Sequence, residues 1–129
     1  MAEQSKKRVM VVDDAALVRL YYRDTLEAAG FQVEEAMNGL EALEKLMTAP
    51  VDLLIVDVNM PQMDGMTFLE ALRRQPLPLA ATPALVTSTE AGPKDFAAAR
   101  AAGANFYLVK PVGQEKLAEF VAVLCGTPA

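Results

Sequence analysis

Four short apolar runs recur along the chain, and each ends on residues that can do chemistry. "VMVV" at 9–12 runs into Asp13 and Asp14, "DLLIVD" closes on Asp57, "PALVTS" carries Thr87, and "FYLVK" closes on Lys110. Unbroken apolarity over so short a span predicts strands covered on both faces, as in a parallel sheet. A fifth stretch, "FQVEEA", alternates apolar and polar positions as an edge strand does.

Between these runs the apolar positions return at helical spacing. In residues 15–29, Val18, Tyr21, Tyr22, Thr25, Leu26 and Ala29 form a sheet-facing stripe, and Gly30 stops the helix. The same stripe leaves Leu17 and Leu20 pointing outward, close to the acidic residues that precede them, which suggests a partner surface as readily as scattered apolarity. After the Asn38-Gly39 turn, "LEALEKLMT" predicts a second helix ending before Pro50, and "MTFLEALRR" a third, followed by the loop "QPLPLAATP". "PKDFAAARAAG" predicts a fourth, with Pro93 early and Gly103 just past its end; "GQEKLAEFVAVL" predicts a fifth that buries Leu117, Phe120, Val121 and Leu124.

This βα alternation predicts an α/β fold with a five-stranded, doubly wound parallel sheet (βα)5 and helices on both faces. Sites in such folds lie beyond the carboxyl ends of the strands, where the strand order reverses. Those ends carry Asp13, Asp14, Asp57, Thr87 and Lys110.

Composition narrows the choice of chemistry. A chain of 129 residues, 53% hydrophobic and without Trp, predicts one domain, 1–129, with an aliphatic core. The net charge of −5 argues against a nucleic-acid or membrane-surface binder, both of which need a basic field. With no His, neither a His-based triad nor a His metal site nor a phosphohistidine can form within the chain. The single Cys125 reads as a small apolar residue, and the absence of a signal segment points to the cytoplasm. The polar, basic start "MAEQSKKR" reads as a solvated lead-in.

Three carboxylates gathered at neighbouring strand ends repel by roughly 4 kcal/mol per pair at 4 Å and an effective dielectric near 20. A hard divalent ion with oxygen ligands, Mg²⁺ or Mn²⁺, offsets that repulsion. Lys110 adds an ammonium and Thr87 a hydroxyl, which makes a site for a phosphoryl group in which Asp57 is the nucleophile. Each residue also has an ordinary reading. Asp13 and Asp14 can cap the first helix, Asp57 can start a turn, Thr87 can be a strand residue and Lys110 a surface lysine. Four such coincidences at four strand ends of one sheet favour the joint functional reading.

The motifs "VVDD", "DVNMPQMDG", "LVTS" and "YLVKP", in this order and spacing, resemble a response-regulator receiver domain of the single-domain chemotaxis type over residues 8–124. The resemblance implies a flavodoxin-like strand order 2-1-3-4-5. It also implies a phosphorylated Asp57, a metal site from Asp14, Asp13 through water, Asp57 and the Asn59 carbonyl, Lys110 on a phosphoryl oxygen, and a cis Lys110–Pro111 bond. Thr87 and Tyr107 would form the switch. The face of the fourth helix, fifth strand and fifth helix, with Ala97, Ala98, Ala101 and Ala122, would meet a target.

A histidine kinase or histidine phosphotransfer protein would be the donor. The chemotaxis resemblance suggests a flagellar-motor switch protein as target, and a stress or developmental phosphorelay suits the same residues. No output domain is expected after the fifth helix, so the signal would leave by protein binding. Lys116 is the only basic residue of that helix, which disfavours a charge-paired dimer and leaves a monomer as the expectation. Two alternatives stay open: a receiver acting as phosphate sink or relay, and an aspartyl-phosphate phosphatase. The second is weakened because Asn59 stands where dehalogenase-type phosphatases have their acid. On the leading reading the chain is no enzyme beyond catalysing its own phosphorylation and dephosphorylation. Phe106 stands where the family often has a small or polar residue.

Overall fold

The computed structural model describes residues 6–60 and 63–125. Five strands alternate with five helices: β1 Arg8–Val12, α1 Ala16–Ala28, β2 Gln32–Ala36, α2 Gly39–Thr48, β3 Leu53–Asp57, α3 Gly65–Arg73, β4 Ala84–Ser88, α4 Pro93–Ala102, β5 Phe106–Val109 and α5 Gln114–Cys125. All pairings are parallel and the sheet order is β2-β1-β3-β4-β5. The order reverses at β1 and β3, so their carboxyl ends flank the crevice where the sequence places its acids.

Because strand side chains alternate, each apolar run supplies two cores. Val9, Val11, Leu53, Ile55 and Leu85 pack under α1 and α5 with Tyr22, Leu26, Leu117 and Val121. Met10, Val12, Leu54, Val56 and Val86 pack under α2, α3 and α4 with Leu46, Phe68, Leu69 and Leu72. Asp13, Asp57 and Thr87 continue the alternation on the α1 and α5 side.

Four expectations need correction. In β5 only Leu108 is buried, while Phe106 and Val109 are exposed, because the strand order puts β5 at an edge. In α1, Tyr21 is partly exposed and bonds the Val112 carbonyl through its hydroxyl, and Ala29 lies outside the core. Ala122 is buried against α1 and α5 neighbours, whereas Ala97, Ala98 and Ala101 are exposed. The loop after α3 contains a 3-10 turn, Leu79–Ala81, and a cis Leu77–Pro78 bond. The half-buried Arg73 pins that turn: its guanidinium donates to the carbonyls of Ala80, Thr82 and Gly103 at 2.6–3.0 Å. Gly103 is the left-handed C-cap of α4, with φ 115°, and a Cβ there would stand 2.7 Å from Arg73 Cγ.

The basic lead-in falls partly, and the residues after Cys125 wholly, outside the described residues, as do Pro61 and Gln62 of the turn after β3. Among the described residues no helix is long and apolar enough to cross a membrane.

Candidate phosphoryl and metal site

The last residue of β3, Asp57, is 6% exposed, and Asp13, just beyond β1, is 2% exposed. Asp14 next to it faces solvent. One carboxylate oxygen from each of the three lies within 4.8 Å of the others. Lys110, just past β5, reaches across: its Nζ lies 2.9 Å from Asp57 Oδ1 and 3.2 Å from Asp13 Oδ2. The Lys110 ammonium therefore bonds two of the three acids.

Local hydrogen bonds show what each acid is for. Asp13 holds the Ala15 amide at 2.9 Å with one oxygen and Lys110 with the other. Its own carbonyl accepts from Arg19, which Glu35 holds at 2.9 Å, so α1 and β2 fix the end of β1. The N-cap of α1 is Ala15, with no side-chain cap, so Asp14 does not serve that helix and its carboxylate remains free for a ligand. Asp57 likewise bonds Lys110, whereas Asp64 caps α3, its side chain accepting from the Thr67 amide.

The charges respond to this crowding. Burial pushes the Asp57 carboxyl above the usual carboxylate range; the Lys110 hydrogen bond opposes this, and the charges of Asp13 and Asp14 add to it. For Lys110 burial pulls downward, but hydrogen bonding to Asp57 and the charges of Asp13 and Asp57 outweigh it, and its pKa rises. The excess negative charge that lifts Asp57 is what a divalent cation neutralises.

Thr87 pairs with Asp57 across β3 and β4, is fully buried, and its Oγ1 has no hydrogen-bond partner. A buried hydroxyl beside an acid, with donor capacity unspent, fits a phosphoryl oxygen. Ser88 accepts from the Glu90 amide at 3.0 Å and starts the loop to α4. Tyr107 is partly buried on β5; its hydroxyl donates to the Glu90 carbonyl at 2.9 Å, and its ring meets Phe96 edge-on at 4.7 Å. Asn59 is exposed two residues after Asp57, and Lys110–Pro111 is cis, as expected.

The structure thus brings together Asp13, Asp14, Asp57, Thr87 and Lys110, and sets Tyr107 outside them on β5, with its hydroxyl on the loop after β4. Gly65 is a contributor that sequence reasoning missed: a Cβ there would overlap the Asp57 carbonyl oxygen, and its amide donates to the Val58 carbonyl at 3.0 Å. The Asp64-Gly65 pair marks a turn in the sequence, which is the signal that could have found it. Arg19 and Phe96 were missed too, since each acts through contacts distant in sequence.

A parallel (βα)5 sheet with acids at its switch point, a lysine across them and a threonine beside them defines a receiver-type signalling domain. Residues 9–122 match the family model for the response regulator receiver domain, and the chain belongs to that family. It is similar to the chemotaxis protein CheY1 of Helicobacter pylori, 36% identical over 122 residues, covering 93% of this chain and 98% of the relative. It is also similar to a protein-glutamate methylesterase/protein-glutamine glutaminase of Archaeoglobus fulgidus, 41% identical over 108 residues and 82% of this chain. The chain spans only 30% of that relative's length, and 15% of a Myxococcus xanthus gliding motility regulatory protein to which it is 37% identical. Among solved structures, Vibrio cholerae chemotaxis protein CheY4 superposes with a TM-score of 0.87 at 38% identity, over 93% of this chain and 99% of that one. The fold is the CheY-like one in strand order 2-1-3-4-5.

Proposed function

We propose that the chain is a response-regulator receiver whose Asp57 accepts a phosphoryl group from a partner histidine kinase or histidine phosphotransfer protein. The observation that carries this reading is the buried Asp57 carboxylate, hydrogen-bonded to Lys110 at 2.9 Å with two further acids beside it. A carboxylate oxygen of Asp57 attacks phosphorus in line with the departing imidazole nitrogen. The O–P bond forms as the N–P bond breaks, and the donor histidine keeps the electron pair and takes up a proton.

Asp13, Asp14, Asp57 and the Asn59 carbonyl suit Mg²⁺ or Mn²⁺, which supplies charge neutralisation for the phosphoryl oxygens. Lys110 holds one phosphoryl oxygen with its ammonium, and Thr87 donates its hydroxyl to another. Drawing Thr87 inward moves the loop that carries Glu90, releases the Tyr107 hydroxyl, and alters the α4, β5 and α5 face that meets a target protein. Beyond its own phosphorylation and dephosphorylation no catalysis is assigned.

Labelling by acetyl phosphate in Mg²⁺ tests the acceptor. The parent chain should form one hydroxylamine-sensitive acyl phosphate, and Asp57→Asn should fold and form none. Equal stable labelling of the variant at another residue would refute the assignment.

A further inference from the structure

Lys110 pairs with Asp13 and Asp57, whereas the Asp14 carboxylate faces solvent and makes no hydrogen bond or ion pair among the described residues. A metal ligand must nonetheless point in a fixed direction. For a side chain without partners only the backbone can supply that direction, through the two planar peptide units that flank its Cα.

Both units are pinned. The carbonyl of the Asp13–Asp14 unit accepts from Arg19 Nη1 at 2.7 Å, and the amide of the Asp14–Ala15 unit donates to Asp13 Oδ1 at 2.9 Å. With a plane held on each side, the Cα–Cβ bond of Asp14 is aimed without any contact to its carboxylate. The Arg19 clamp is itself anchored: Nε donates to Glu35 Oε1 at 2.9 Å, the Arg19 side chain is 14% exposed, and Glu35 Oε2 accepts from Arg23 at 2.6 Å. Glu35 lies on β2 opposite Val11, and one residue further on the Asp13 amide donates to the Ala36 carbonyl at 3.1 Å. The rigid guanidinium fork of Arg19 thus ties β2 to the peptide between the two aspartates. Its ion pair is with Glu35 and not with an acid of the site.

We propose that Arg19 is a positioning residue of the metal site: by holding the Asp13 carbonyl it fixes the peptide that aims the Asp14 carboxylate at a divalent cation. The inference rests on Asp14 as a metal ligand and adds a residue that the metal reading does not use. Charge and position make opposite demands on this residue. A guanidinium near a cation site repels the cation, so on charge alone its removal strengthens Mg²⁺ binding. If it aims Asp14, its removal weakens binding.

The test is Mg²⁺ affinity by titration calorimetry for the parent, Arg19→Met, Arg19→Lys, Asp14→Ala and the Arg19→Met/Asp14→Ala pair. Arg19→Met keeps the apolar stem and should weaken Mg²⁺ about three- to tenfold, at and below the lower end of what the outer partners of metal ligands contribute, because Arg19 acts through the backbone. Arg19→Lys keeps the charge but cannot fork across two acceptors, and should recover part of the loss. In the Asp14→Ala background Arg19→Met should weaken binding no further. Unchanged or tighter binding by Arg19→Met, or an equal loss in both backgrounds, would overturn the inference. If Asp14→Ala bound Mg²⁺ as the parent does, the metal reading of Asp14 would fall and the inference with it. If Asp14→Ala lost Mg²⁺ while Arg19→Met kept it, the inference would fall alone. Should Arg19→Met not fold, Arg19→Lys and the parent decide. In EDTA, amide relaxation of the parent should give Asp14 and Ala15 order parameters of roughly 0.85, as in rigid backbone, and lower ones in Arg19→Lys; values under about 0.6 in the parent would refute the pinning.

Discussion

Asp57 and Thr87 are register partners at the ends of β3 and β4, side chains on the same face, with the Val58 amide donating to the Thr87 carbonyl at 3.1 Å. One of the two has a charged partner and the other has none: the carboxylate is held by Lys110, while the hydroxyl is buried and unpaired. On the proposed function, a resting state that leaves a donor unsatisfied beside Asp57 stores its response at that position.

Thr87→Val tests this directly, because Val keeps the shape and removes the hydroxyl. Deleting an unsatisfied buried hydroxyl should stabilise the unphosphorylated chain by about 1 kcal/mol or more, read from urea unfolding in EDTA. The same variant should still be phosphorylated at Asp57 and lose the gain in partner affinity, roughly ten- to a hundredfold if one charge-assisted hydrogen bond carries it. Lower stability with an intact gain would contradict the role of the hydroxyl.

Charge crowding predicts the behaviour of the acids. Burial and the neighbouring carboxylates raise the Asp57 pKa, so the ionised site is strained at neutral pH without a cation. Asp57→Asn and Asp14→Ala should each raise Tm in EDTA by a few degrees, a gain of about 1 kcal/mol. Both should bind Mg²⁺ weakly by titration calorimetry. Lys110→Met should do the reverse, lowering Tm in EDTA and gaining more than the parent from Mg²⁺, since three acids are then left without their ammonium.

Much of this was legible in the sequence because both-face burial writes itself as unbroken apolar runs, and the residue after each run falls at the crevice. Asp13, Asp14, Asp57, Thr87 and Lys110 could be found that way. The exposure of Phe106 and Val109 could not, since it depends on β5 being an edge and not on its own composition. Gly65 reads as a turn glycine until the fold brings it under the Asp57 carbonyl.

Gly65→Ala should disturb the acceptor without touching its chemistry. The added methyl overlaps the Asp57 carbonyl oxygen, a backbone atom with no room to yield, and lies 3.0 Å from Val58 Cα. Overpacking of this kind costs about 1–3 kcal/mol. Urea unfolding should show that loss, and acetyl phosphate labelling should slow more than it does in a surface variant of equal stability.

Leu17 and Leu20 are 80% and 50% exposed on α1, next to the solvent-facing Asp14. Their joint replacement, Leu17→Glu with Leu20→Glu, should leave acetyl phosphate labelling unchanged, because no buried contact is lost. Transfer from a histidine donor should slow at least tenfold if these leucines seat it, by the cost of placing charge in an apolar contact, about 1.4 kcal/mol or more. Equal rates with the histidine donor in parent and variant would exclude the docking role.

The last prediction concerns what keeps Tyr107 where it is. Its hydroxyl bond to the Glu90 carbonyl and its edge contact with Phe96 both hold the ring on the outer side of β5. An aromatic pair contributes about 0.5–1.5 kcal/mol and a neutral hydrogen bond about 1 kcal/mol. Together these fall short of the roughly 5.5 kcal/mol that separates a 1:99 from a 99:1 population, so the outer position is a bias and not a lock. Phe96→Ala removes one of the two restraints and should move the Tyr107 ring resonances toward their phosphorylated positions in the unphosphorylated chain. Phe96→Leu, which refills the volume without the ring edge, should move them less. Partner affinity alone cannot separate these effects, because Phe96 is 43% exposed on the face a target would cover. The ring resonances of Tyr107 can, and if they stay at their resting positions in Phe96→Ala, the Glu90 carbonyl alone holds the switch.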